Sequence, residues 1–344
     1  MSRNGRIRVA LIAGGRSSEH DISLASARSV LESLDPERYD VVSVAIGREG
    51  RWQIASGSQP LTSGGGAAET LPVPAESGAL EALGAVDVAM PILHGPFGED
   101  GTVQGVLELA DVPYVGPGVL ASALCMDKDV FKSVMRDNGI PVARHRTLRL
   151  GDSVENPFGY PVFVKPARLG SSVGISKVRS EVELEPAVAL ARRHDEKVLV
   201  EEFVPGIEVE VGVLGNLPTP QASLPGQVVS HFADWYDWSS KYDEGGSDLL
   251  IPAPTLSDEQ NARAQELAVR AFVATECEGM ARADFFLRDD GEVVMNELNT
   301  IPGFTATSFY ARLFGASGIP YGELLKRLID LALERHERRR GLQF

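Results

Sequence analysis

Two apolar runs near the C-terminal end constrain the fold most: Ala281-Arg282-Ala283-Asp284-Phe285-Phe286-Leu287 and Glu292-Val293-Val294-Met295-Asn296-Glu297-Leu298-Asn299, joined by Arg288-Asp289-Asp290-Gly291. An Asp-Gly pair between such runs predicts a β-hairpin, because a type I′ turn needs φ > 0 at both central residues. With Asp290-Gly291 as a two-residue loop, Asp289 pairs with Glu292, and counting outward sets Asp284 opposite Glu297 and Arg282 opposite Asn299. Side chains alternate along strands, so all four share one face.

Carboxylates facing each other across an antiparallel pair lie roughly 5 Å apart, and in a medium of effective dielectric about 20 they repel by about 3 kcal/mol. A divalent cation removes that repulsion. Asp, Glu and the Asn amide oxygen are the hard ligands that Mg²⁺ accepts, usually together with substrate phosphates. The competing reading is a structural ion cluster around Arg282, which leaves one anion uncompensated on a half-buried strand.

At 344 residues the chain has room for two or three domains, and 43% apolar residues supports a sizeable core. A formal charge of -15 argues against general binding to nucleic acid or to an anionic membrane, so an anionic ligand must be held by local groups. Cys125 and Cys277 form no metal-like spacing and are expected to be buried, reduced thiols of a cytoplasmic protein. Neither a signal-peptide pattern nor a membrane-length apolar run occurs. The closing Arg335-His336-Glu337-Arg338-Arg339-Arg340 reads as a solvated helix end, where cations are favoured.

The chain opens with the strand Ile7–Ala13, a Gly14-Gly15 turn and a helix from about Ile22 to Leu34, the start of a βα unit. Lack of G-x-G-x-x-G disfavours a nicotinamide enzyme. Glu19-His20-Asp21 and His94-Gly95-Pro96-Phe97-Gly98-Glu99 follow the first and a later strand, at the carboxyl ends where open α/β sheets place ligands. Glu19 is equally explained as a carboxylate favoured by the helix dipole, and a lone His94 as structural. Between these strands, residues 56–84 are rich in Ser, Gly, Pro and Ala and read as a mobile insertion.

Lys128 stands in the first turn of a helix, where the dipole disfavours a cation, so an anionic partner is expected. Tyr160–Pro166, a Gly170-Ser171-Ser172-Val173-Gly174 loop and Ile175–Val178 read as strand, small-residue loop, strand. This is not a Walker A sequence, but its amides could converge on phosphate, and Lys165 within an apolar strand must face something negative. Ser180 with Glu183, and Ser257 with Gln260, read as capping boxes. Strand and turn Lys197–Glu208 offer free amides to a base edge and carboxylates at Glu201 and Glu208. Residues 231–250, with Trp235, Tyr236, Trp238 and Tyr242 in no regular period, read as a lid.

Taken in order, Gly14-Gly15-Arg16-Ser17-Ser18-Glu19, Leu93-His94-Gly95, Gly98-Glu99-Asp100-Gly101, Val164-Lys165-Pro166, Gly170-Ser171-Ser172-Val173-Gly174, Lys241-Tyr242 and Asn296-Glu297-Leu298-Asn299-Thr300-Ile301-Pro302-Gly303 resemble the motif series of the D-alanine–D-alanine ligase family across nearly the whole chain. The resemblance implies an α/β and α+β chain of ATP-grasp fold. It divides into an N-terminal open parallel-sheet domain (1–116), a central ATP-grasp subdomain (117–204) and a C-terminal one (205–344). It implies that Lys128, Lys165, Ser171 and Ser172 hold ATP phosphates, that Glu201, Glu202, Phe203 and Val204 surround adenine, and that Glu208 holds ribose. Asp284, Glu297 and Asn299 would bind two Mg²⁺ (or Mn²⁺) ions. Glu19 would take the first D-alanine's ammonium with His94 nearby, Lys241 and Ser308 the second substrate's carboxylate, and Arg282 with the Gly303 amide the tetrahedral oxyanion. Ser171 and Tyr242 would tie the loop to the lid.

The implied reaction is attack of one D-alanine carboxylate on the γ-phosphate of ATP, then displacement of phosphate from the acyl phosphate by a second D-alanine, for peptidoglycan precursor synthesis. A homodimer is expected. Trp235-Tyr236-Asp237-Trp238-Ser239-Ser240 and Thr307 depart from the usual family residues. Two rival readings are a D-alanine–D-lactate ligase, against which Lys241-Tyr242 argues, and a non-catalytic nucleotide-binding regulator, which would not need Arg282 beside the carboxylates.

Overall fold

The computed structural model describes residues 5–55, 83–230 and 247–343. Strands β1 (Ile7–Gly14), β2 (Tyr39–Ile46), β3 (Trp52–Ala55) and β4 (Val88–Ile92) form a sheet in the order β3-β2-β1-β4. β1 runs parallel to both β2 and β4, and β3 closes one edge antiparallel. Helices α1 (His20–Ser33) and α2 (Thr102–Leu109) pack on it, which explains why β1 and β4 are continuous apolar runs rather than alternating ones. Because β1 and β4 run parallel, their polar loops leave from the same end of the sheet. Gly14 makes the first turn possible: its φ is 96°, and a Cβ there would stand 2.3 Å from the Ile46 carbonyl oxygen. The insertion read at 56–84 lies almost wholly outside the described residues.

Next come α3 (Val119–Met126), α4 (Lys128–Asp137), β5 (His145–Leu148), β6 (Val162–Pro166), β7 (Ser176–Val178), α5 (Glu181–Ala191) and β8 (Val198–Glu202). The strands form an antiparallel sheet, β5-β8-β6-β7, backed by α5 through Leu184 and Val188. Ser180 sits at the N-cap of α5 but makes no side-chain cap. Instead the Glu183 amide donates to the Ser180 carbonyl, and the Glu183 carboxylate accepts from the Arg179 amide, so the capping box read there does not form. At Ser257 and Gln260 it does.

The third sheet contains β9 (Ile207–Gly215), β10 (Gln221–Ala222), β11 (Gly226–Ser230), β12 (Ser247–Leu250), β13 (Gly279–Leu287) and β14 (Val293–Asn299). Its order is β12-β11-β9-β13-β14, with β10 on β9. Helix α6 (Asp258–Ala274) buries Leu267, Ala268, Ala271 and Phe272 against it. That core also takes Cys125, Phe131 and Met135 from α3 and α4, although these helices precede the middle sheet in sequence. Helix α7 (Phe309–Ala316) follows, and α8 (Tyr321–Arg340) returns to the N-terminal sheet through Leu324, Leu325, Leu328 and Ile329.

That return corrects the reading of the basic tail as merely solvated. Arg335 is buried, donates to the Gly116 and Tyr114 carbonyls at 2.5 and 2.8 Å, and stacks 4.5 Å from the Tyr114 ring centre. Arg338 pairs with Glu278 and Arg339 with Glu108.

The hairpin brings Asp284 opposite Glu297 and Arg282 opposite Asn299, as expected, but by another route. Leu287 pairs with Val293, and the Arg288 amide donates to the Glu292 carbonyl, so the loop is Asp289-Asp290-Gly291 with only Gly291 at φ 88°. The ladder is therefore one residue out of the expected register at the turn. A bulge between Asp284 and Phe285 skips Asn296 and restores it. Without the bulge, Asp284 would oppose Asn296.

Candidate active site

Two cavities meet between the three sheets. The first is lined by Lys128, Phe163, Lys165, Ser171, Ser172, Glu201, Glu202, Phe203, Val204, Glu208, Asp284 and Glu297. The second is lined by Glu19, His94, Glu99, Lys128, Ser171, Arg282, Glu297, Asn299, Gly303 and Ser308. Lys128, Gly170, Ser171 and Glu297 belong to both and form the partition. Lys241 and Tyr242 lie outside the described residues.

Asp127 sets Lys128 in place. As N-cap of α4 it accepts from the Asp129 and Val130 amides, and Lys197 holds its carboxylate at 2.7 and 2.9 Å. Lys128 then spans from the Leu169 carbonyl (2.9 Å) to Glu297 Oε2 (3.2 Å). The loop after Leu169 is tightly bent, with Ser171 and Ser172 at φ 54° and 58°.

Lys165 was expected to face an anion. In this structure that anion is Glu201, 2.5 Å away, whose other oxygen lies 3.0 Å from Lys132. Burial works against the Glu201 charge, but Lys132 and Lys165 outweigh it and bring its pKa down to about 2. Neighbouring Glu202 points elsewhere and is held by Arg144 at 2.6 to 2.7 Å. Phe163 and Phe203 pack with tilted rings whose centres are 6.0 Å apart, an apolar wall of the first cavity.

On the third sheet, Arg282 holds Asp284 through two 2.7 Å bonds and lies 3.2 Å from Glu210. Glu210 stands opposite Asp284 on β9, so Glu210, Asp284 and Glu297 form one row across three strands. Asn299 Oδ1 is buried without a hydrogen-bond partner among the described residues. A facing carboxylate pair beside an unused amide oxygen fits a hard divalent cation. No three His, Cys, Asp or Glu side chains group as a metal site among the described residues, so such a cation would need other ligands as well.

In the second cavity, Glu19 occupies the N-cap position of α1 without capping it. A Cβ on Gly95 would stand only 3.0 Å from its Oε2, so the glycine leaves room for the carboxylate. His94 Nδ1 lies 2.9 Å from the Ile301 carbonyl and 3.4 Å from Glu99. Burial pushes the Glu99 carboxyl up, to about 7, against the pull of the His94 hydrogen bond. Burial lowers the His94 pKa, but its bond to Glu99 and the charges of Glu19 and Glu99 raise it overall. At the far wall, Ser308 Oγ accepts from the Thr305 amide at 3.0 Å, beside Gly303.

A raised folded-state pKa contributes stability below the unfolded value and loses it as pH rises through the folded one. Glu99→Gln should therefore gain stability relative to the native chain between pH 5 and pH 8, by up to about 3 kcal/mol. Thermal melts of both proteins at several pH values would show curves that diverge with pH; parallel curves would refute this account of Glu99.

Sequence reasoning missed Lys132 and Glu210 and gave Glu99 no role. Lys132 carried a signal, since it shares a helix face with Phe131 and Met135, where a lysine is out of place. Glu210, two residues after Glu208 on a strand, shares its face.

The family model of the D-ala D-ala ligase N-terminus matches residues 8–117, and that of the D-ala D-ala ligase C-terminus matches residues 134–330. A D-alanine--D-alanine ligase of Mycolicibacterium gilvum is 47% identical over 366 aligned residues, covering 96% of this chain and 98% of the relative. The structure of the D-alanine-D-alanine ligase from Coxiella burnetii superposes with a TM-score of 0.82 at 34% identity, covering 98% and 97% of the two chains. That of the Bacillus anthracis D-alanine--D-alanine ligase complexed with ATP superposes with a TM-score of 0.78 at 25% identity, covering 97% and 99%.

Proposed function

The chain belongs to the D-alanine–D-alanine ligase family, an ATP-dependent ligase of ATP-grasp fold acting in peptidoglycan synthesis, and on that premise we propose how its residues join two D-alanine molecules. The observation that carries the reading is the shared partition, because phosphoryl transfer needs a nucleotide and an acceptor in adjoining chambers. Adenine lies against Phe163, Phe203 and Val204 beside Glu201 and Glu202, ribose reaches Glu208, and the phosphates run toward Lys165, Lys128, Ser171 and Ser172. The first D-alanine sets its ammonium on Glu19, near His94, and its carboxylate at the partition.

A carboxylate oxygen of that D-alanine attacks the γ-phosphorus, the bond to the ADP oxygen breaks, and an acyl phosphate forms. Lys128 and Lys165 offset the negative charge that would otherwise keep the two anions apart. Asp284, Glu297 and Asn299 would hold two Mg²⁺ (or Mn²⁺) ions, which when bound add the Lewis-acid charge that phosphoryl transfer uses. The second D-alanine, its carboxylate at Ser308 and Lys241, attacks the acyl carbon with a neutral amine. Arg282 and the Gly303 amide donate to the oxyanion as it develops, the bond from the acyl carbon to the phosphate oxygen breaks, and the proton shed by the amine leaves with the phosphate as hydrogen phosphate. Tyr242 would act with Ser171 to tie the loop to the lid and so shut water out. The enzyme works in the cytoplasm as a homodimer. No helix among the described residues is long and apolar enough to cross a membrane.

With D-alanine labelled in its carboxylate by ¹⁸O, one labelled oxygen should pass into the released phosphate at each turnover. Mass spectrometry of that phosphate is the test, and unlabelled phosphate from labelled substrate would rule out the acyl phosphate.

A further inference from the structure

We propose that Lys132 is a positioning residue for phosphate binding: it keeps Glu201 neutralised so that Lys165 can turn to the nucleotide. Lys132 lies one helical turn after Lys128 on α4 and is fully buried. Its ammonium stands 3.0 Å from Glu201 Oε2 and 3.4 Å from the Asn296 carbonyl oxygen. It lines neither cavity, whereas Glu201 and Lys165 both face the first one. An ammonium buried on a helix face shared with Phe131 and Met135 is costly, and an aliphatic side chain of similar volume would avoid that cost. The charge must therefore serve its neighbours.

Those neighbours are two lysines on one carboxylate. Lys165 holds Glu201 Oε1 at 2.5 Å, so it cannot meet a phosphate fully without loosening that contact. Were Lys165 the sole partner, its departure would leave a buried, uncompensated anion facing a polyanion. Lys132 already occupies the opposite oxygen, and Glu201 can keep its charge as Lys165 moves. The three side chains sum to one positive charge, which is the charge Lys165 can offer. Asp127 and Lys197 fix the start of α4, so the backbone that carries Lys132 also carries Lys128.

This inference rests on the nucleotide reading of the first cavity, and the experiment separates the two. ADP and adenosine are titrated by calorimetry into the full-length protein and its Lys132→Met, Lys132→Arg and Lys165→Met variants. Lys132→Met should weaken ADP about tenfold or more while leaving adenosine within about twofold, and Lys132→Arg should bind ADP nearly as the native protein does. Equal losses of ADP and adenosine would mean a merely structural role and overturn the proposal. So would an unchanged ADP affinity in Lys132→Met alongside a loss in Lys165→Met. If Lys165→Met itself leaves ADP unaffected, the phosphate assignment of the cavity fails and takes the inference with it. Should Lys132→Met not fold, Lys132→Gln, which keeps a polar group against Glu201 but no charge, decides: it should weaken ADP about tenfold while leaving adenosine within about twofold. An ADP affinity equal to native in Lys132→Gln would refute the proposal.

Discussion

Glu297→Gln is expected to lower turnover by about 10³-fold or more, a loss of about 4 kcal/mol of transition-state stabilisation, while leaving the fold in place. Glu297 lines both cavities, so its charge acts where phosphate would pass from nucleotide to amino acid. The hairpin alone suggests that removing it relieves repulsion with Asp284 and raises stability. The structure reduces that gain, because Arg282 already holds Asp284 and Lys128 already pairs with Glu297. Losing a carboxylate that is about a quarter exposed should therefore change stability by no more than about 1 kcal/mol in either direction. Phosphate release with ATP, D-alanine and Mg²⁺ gives the first quantity and chemical unfolding the second. Turnover within tenfold of native would defeat the assignment of Glu297 to the metals.

Arg335→Ala should destabilise the protein by about 2–4 kcal/mol, although Arg335 lies in neither cavity. Its guanidinium is buried and donates to two carbonyls where the N-terminal sheet hands over to the rest of the chain. Burial holds its pKa below the usual arginine value, yet the planar fork still meets both carbonyls and the Tyr114 ring. Truncation leaves the carbonyls without that donor and opens a space beside Tyr114. Arg335→Lys should recover little, since a single ammonium cannot reproduce the fork. Unfolding monitored by fluorescence and circular dichroism would measure the change. An Arg335→Ala midpoint equal to native would show that α8 is held to the N-terminal sheet by its leucines alone.

The facing pairs Asp284/Glu297 and Arg282/Asn299 were legible because strand alternation and hairpin pairing are local rules, and so were the apolar strands β1 and β4 and the buried stripe of α6. The hairpin also shows where local rules stop. Counting from a two-residue turn reaches the right pairs only because the bulge at Asn296 cancels a one-residue error at Gly291, and a bulge has no local signature here. In the same way, Lys165 in an apolar strand announces an anion but not which one. Glu201 becomes its partner through pairing of β6 with β8, 36 residues apart, and Lys132 joins them from a helix whose other residues pack on a different sheet. Sequence by itself determined the strands and helices that carry the motifs, among them β1, β6, β13 and β14, and which side chains share a face of each. Tertiary structure alone decided that Arg335 is a buried clasp, that Glu210 stands third in a row of carboxylates, and that two cavities share a wall. These facts depend on long-range contacts between elements, and those are set by the packing of whole apolar faces rather than by any residue's immediate neighbours in the chain.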